Sequence, residues 1–142
     1  MKLRHIFAAV ATAGILVSCS KTKESYIEEM CDLKNEAADI IMNCHTWDDA
    51  FDAADKLHAI ADEIKELEED AERHAYDIHQ AELSMTQTEK KAADENLKNQ
   101  INAAEDKMKR AKEHLFGNPA TKTEGNDAGK SNYLQFAVSR VD

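Results

Sequence analysis

The sequence predicts an all-α protein, built as an antiparallel three-helix bundle or coiled-coil-like hairpin. Three observations predict it. Only four glycines and one proline occur in 142 residues, so helix breakers are nearly excluded. Apolar residues recur in alternating steps of four and three, the signature of a helix with one buried stripe. Two Thr-x-x-acid sequences, Thr46 to Asp49 and Thr86 to Glu89, resemble helix-opening capping boxes and fall where a bundle must turn.

The first helix is expected over about 23–43, where Tyr26, Met30, Leu33, Ala37, Ile40 and Cys44 step 4-3-4-3-4. Asn43 and His45 make a plausible stop. A second helix is expected over about 47–83. Ala50, Leu57, Ile64, Ala71, Ile78 and Met85 hold a strict period of seven there, and Asp48, Asp49 and Asp52 suit the positive end of its dipole. The third, about 87–116, carries Leu97, Ile101, Ala104, Met108, Ala111 and Leu115 and is ended by Gly117-Asn118-Pro119. Residues 117–131 hold three of the four glycines and the only proline, and read as a flexible linker. The apolar segment 132–142 fits either state: Leu134, Phe136 and Val138 alternate like a strand, while Leu134, Ala137, Val138 and Val141 fit a helix.

Charge suggests that the second and third helices pair. The second has 13 acids and 3 bases, the third 6 acids and 7 bases. A turn centred near Thr86 sets Lys107, Lys109, Arg110 and Lys112 beside Asp62, Glu63 and Glu66. The second helix outruns the first, so 69–100 is expected to continue as a two-helix hairpin. Its inner face is thin: Ala71, Ala75, Ile78, Ala81, Ala93 and Leu97.

The N-terminus has a different character. Lys2 and Arg4 precede an apolar run from Ile6 to Val17, then Ser18 and Cys19. A run of about 12 residues is too short to span a bilayer and has the layout of a secretory signal. Leu16-Val17-Ser18-Cys19 resembles the lipobox of bacterial lipoproteins. That resemblance covers residues 1–20 only. It implies cleavage between Ser18 and Cys19, a thioether from Cys19 to diacylglycerol, and fatty acylation of the new amino group. The chain then divides into a signal at 1–18, the lipidated Cys19 with a tether to residue 23, and a helical body at 24–116. The covalent lipid at Cys19 is the only attached group expected, and no other cofactor. Ser20 after the cysteine suits sorting to the periplasmic face of the outer membrane, in preference to inner-membrane retention.

Without residues 1–18 the net charge moves from −10 to −12. Such a chain is a poor partner for nucleic acid, whose phosphates require Lys and Arg. It is also poorly suited to anionic lipid, so the bilayer is engaged through the acylated Cys19. Two or more acyl chains anchor stably where one is marginal.

Few residues suggest chemistry. No catalytic residue is assigned, because no Ser or Cys sits in a glycine-rich elbow beside a base and an orienting group. Asp70 and His74 are four apart on a helix and His79 is three from Glu82, making Asp70, His74 and His79 the candidate metal ligands. Cys44-His45 is a weaker pair. Cys31 and Cys44 invite a disulfide in an exported protein. If one helix carries both, about 20 Å separates them, against the 7 Å or less that a bridge needs. Two reduced, partly buried thiols are favoured, with a broken helix or an intermolecular bridge as alternatives. Trp47, the only tryptophan, reads as a cap on the bundle end or as a ligand contact. The expected function is a non-enzymatic structural or protein-binding module of the cell envelope, with a protein partner or self-association through the helices. The alternatives are an acidic binder of cations or cationic peptides, or a metal-site protein.

Overall fold

The computed structural model describes residues 21–118 and 128–142. They form five helices, α1 (Lys23–Met42), α2 (Trp47–Arg73), α3 (Ala75–Ser84), α4 (Gln87–Gly117) and α5 (Ala128–Val141), with no strand among them. The all-helical class is the one the sequence predicts. The signal segment, Ser18, Cys19 and residues 119–127 of the linker lie outside the described residues.

Local chemistry places the helix starts. Thr22 Oγ1 accepts from the Ser25 amide at 3.2 Å and opens α1. Both anticipated capping boxes form. At α2 the Asp49 amide donates to Thr46 Oγ1 (3.2 Å) and the Thr46 amide to Asp49 Oδ2 (2.9 Å). At α4 the Glu89 amide donates to Thr86 Oγ1 (3.3 Å) and the Thr86 amide to Glu89 Oε2 (2.8 Å). Each box satisfies two amides that a helix start leaves unpaired. These hydrogen bonds favour the ionised acid and hold the Asp49 and Glu89 carboxyls below their ordinary range. At its far end α4 runs through Gly117 to Asn118, which is extended (φ −81°, ψ 121°). The stop is therefore not a left-handed glycine. An extended residue before Pro119 is what the proline ring imposes.

Three expectations are corrected. The helix expected over 47–83 is broken at His74 (φ −102°, ψ 9°), which ends α2 and starts α3. None of α3's residues is buried, and of the expected hairpin face only Leu97 is. The pairing of the acidic and basic helices does not form. Instead, α4 lies along α1 and parallel to it, with Gln100 reaching Glu28 (3.4 Å) and Lys107 reaching Asp39 (2.7 Å). Lys112 pairs with Asp142, and Asp62 with Arg140. Lastly, the C-terminal segment is helical from residue 128, taking in four residues read as linker, and it packs on α2.

One apolar core joins four helices. Ala37, Ala38 and Ile41 of α1 meet Leu57 and Ile60 of α2, Met108 and Leu115 of α4, and Leu134, Ala137, Val138 and Val141 of α5. Alanine at 37, 38, 50, 54, 61, 104, 111 and 137 lets the backbones approach closely, so a modest set of large side chains fills the interior. The C-terminal helix is thus the fourth member of the bundle.

Candidate functional site

Two features of the lower half of the bundle, the half nearest the start of α1, carry chemistry or open surface. The first is a polar clamp at the helix break. Tyr26 is buried on α1, and its hydroxyl donates to Asp70 Oδ2 at 2.7 Å. Arg73 holds the other carboxylate oxygen at 3.2 Å. His74 Nδ1 lies 2.9 Å from the Asp70 carbonyl and 3.6 Å from its carboxylate; the carbonyl can only accept, which assigns the proton to Nδ1. Burial and the Asp70 carboxylate push the Tyr26 hydroxyl up to about 12, so it remains a donor throughout the neutral range. The same hydrogen bond holds the Asp70 carboxyl below its ordinary range. In effect the clamp ties the start of α1 to the end of α2 at the point where the chain bends.

The clamp predicts a pH-dependent effect. A carboxyl whose pKa is depressed by folding stabilises the fold above its unfolded pKa, and that contribution is lost as pH falls through the carboxylate range. Tyr26→Phe is expected to unfold at a lower temperature than the parent at pH 7. The gap should narrow on acidification towards pH 3, as thermal melts followed by circular dichroism will show.

The candidate metal ligands are only partly brought together. Asp70 and His74 meet, but both Asp70 oxygens are occupied, one of them by an arginine that repels a cation. His79 lies instead in a cleft with Lys23, Glu82 and Leu83, where Lys23 pairs with Glu82 at 2.9 Å. No group of three metal-ligating side chains forms among the described residues. At the opposite end His45 and His114 stack edge to face at 5.8 Å, and Cys44 Sγ lies 3.2 Å from the Ile40 carbonyl. Cys31 and Cys44 are both free and buried, and burial pushes both thiols up, away from reactive thiolate. Trp47 packs against the core near this end.

The second feature was not found from the sequence. Three heptad lines converge on the bundle axis: Ile27 and Ile41 on α1, Leu57, Ile64, Ala71 and Ile78 on α2–α3, and Ile101, Met108 and Leu115 on α4. Their upper members are sealed, with Ile41, Leu57, Met108 and Leu115 at most 1% exposed. Their lower members are not: Ile27, Ala71 and Ile78 are half-buried and Ile101 is 36% exposed. α5 covers the upper members and runs to Val141, where the Asp142 carbonyl accepts from Lys34 at 2.6 Å. Below Lys34 no described residue fills the fourth position. The opening is a cleft of about 530 Å³ against α2 and α3 and a second of about 150 Å³ against α4, sharing Ile27 and Met30 as their floor. The period of seven was visible in the sequence. The length and placement of the covering helix were not.

Among the described residues no helix is long and apolar enough to cross a membrane. Compared with known proteins, the chain matches no family model, no curated protein and no solved structure.

Proposed function

We propose that the chain is a lipid-anchored, non-enzymatic helical lipoprotein that serves as a protein-binding or structural module of the bacterial cell envelope. One observation carries this reading: Leu16-Val17-Ser18-Cys19 closes a basic-then-apolar leader, and a capped helix begins four residues later at Lys23. The three residues between Cys19 and that helix span at most about 10 Å. Acyl chains on Cys19 would therefore hold the bundle against the membrane surface, with the lower half nearest the lipid. The helical body supplies length and side-chain surface, the means by which bundles and coiled coils engage other helices. Ser20 supports the periplasmic face of the outer membrane.

Fractionation tests the anchor. The native protein is expected in the membrane fraction and extractable only by detergent. Cys19→Ala should carry no lipid, and should either retain residues 1–18 or, cut elsewhere, leave the membrane fraction. A variant that stays lipid-bound, or a wild-type protein that is soluble, contradicts the reading.

A further inference from the structure

We propose that the open fourth position beneath α5 is a docking groove for a cationic amphipathic helix of a partner protein. The inference deepens the binding-module reading above and names the kind of partner; it does not depend on the lipid anchor. Ile27 and Met30 form the groove floor, Leu67 and Ile78 one wall, and Ile101 and Ala104 the other.

The occupant follows from the rest of the fold. Higher up, this same position is filled by α5, an amphipathic helix with Leu134, Ala137, Val138 and Val141 turned inward and Arg140 reaching the acidic flank at Asp62. The groove continues that established interface along the same heptad lines. Seven residues above Met30, Ala37 is fully buried; Met30 itself is not. From Lys23 to Lys34 the groove runs about 17 Å, the length of three helical turns. A helix presenting apolar residues at i, i+3, i+4 and i+7 fits such a space.

Charge selects its sign. Both lysines at the groove are already committed within the chain, Lys23 to Glu82 and Asp94 and Lys34 to the Asp142 carbonyl. Glu68, Glu72 and Glu105 also line it and have no ion pair among the described residues. The charges left open to a partner are negative, on a chain of net charge −10. A basic amphipathic helix meets them; a second copy of this chain, with the same excess of acid, meets like charge.

The test uses the full chain in detergent and a labelled 14-residue synthetic helix with leucines at i, i+3, i+4, i+7, i+8 and i+11 and lysines on the flanks, read by fluorescence anisotropy. A scrambled peptide of identical composition serves as control. The wild-type protein is expected to bind the amphipathic peptide at least tenfold more tightly than the scramble. Ile101→Glu is the decisive variant: Ile101 is already partly exposed, so the fold tolerates the change, and the new acid adds attraction for lysine. Groove docking predicts at least a tenfold loss with it, with helicity unchanged. Equal binding of both peptides, or undiminished binding by Ile101→Glu, overturns the groove in favour of diffuse attraction to an acidic surface. No binding by wild type overturns it as well, while fractionation of Cys19→Ala reports on the anchor separately. A dimer that Ile101→Glu dissolves, with no peptide bound, assigns the position to a second copy and also overturns the proposal.

Discussion

Leu57→Ala is expected to destabilise the protein by about 3 kcal/mol, the middle of the range for removing a fully enclosed leucine. Leu57 is 0% exposed and belongs to the core cluster that the four helices share. Its loss combines the transfer energy of the removed methyl groups with a cavity that alanine-lined helices, already in close approach, cannot collapse to fill. For a chain of this size the melting temperature should fall by about 10 °C. A matched change at Ile78, half-buried on the same heptad line, should cost far less. Urea denaturation of the two variants side by side checks the ratio; equal losses would contradict a core confined to the upper half.

Val138→Asp is expected to release α5 from the bundle. Val138 is 3% exposed within the shared core. An aspartate there brings an uncompensated charge into an apolar interior, at a cost of several kcal/mol, more than a 14-residue helix can withstand while docked. Release would break the Arg140–Asp62 pair and the hydrogen bond from the Tyr133 hydroxyl to Asp55 (2.6 Å), and would expose Leu57 to water. Proteolysis between 118 and 142 should accelerate sharply, together with a drop in melting temperature. Phe136→Asp is the control: Phe136 is 59% exposed, and a surface change of that kind is worth about 0.5 kcal/mol or less. If both variants behave alike, α5 is not part of the core.

These two expectations also locate what the sequence could and could not say. Helices α1 and α4 were legible because their apolar steps of four and three run unbroken, and α4 also follows a start signal at Thr86. The capping boxes were legible because their chemistry is contained in four consecutive residues. The break at His74 was not. Ala71 and Ile78 keep the period of seven across it, no glycine or proline marks it, and its clamp is completed by Tyr26, 44 residues away from Asp70. Nor was the partner of α4 legible. An apolar stripe says that a helix is covered, not by what, and the charge argument leaned on exposed pairs worth only about 0–1 kcal/mol each. Lys107 settles on Asp39, on the opposite neighbour from the one its charge suggested. The C-terminal segment failed for want of length: the ten or so residues from 132 fit two periods equally well, and docking on α2 decided between them.

The site was legible in the same uneven way. Asp70 and His74 were singled out as a pair and do meet, but the groups that occupy Asp70 come from a distant helix and an arginine, and give the pair a role as a clamp. The open groove was present in the sequence only as heptad positions, Ile78 and Ile101 among them, that continue beyond the reach of the helix covering the rest.

The proposed lipid anchor at Cys19 would place the capped bundle within about 10 Å of a bilayer. Intact mass spectrometry of the native protein tests it most directly. A lipoprotein gives a chain beginning at Cys19, with the added mass of a diacylglycerol thioether and an N-linked acyl chain. A chain that retains residues 1–18, or one cut elsewhere and carrying no lipid, would contradict it.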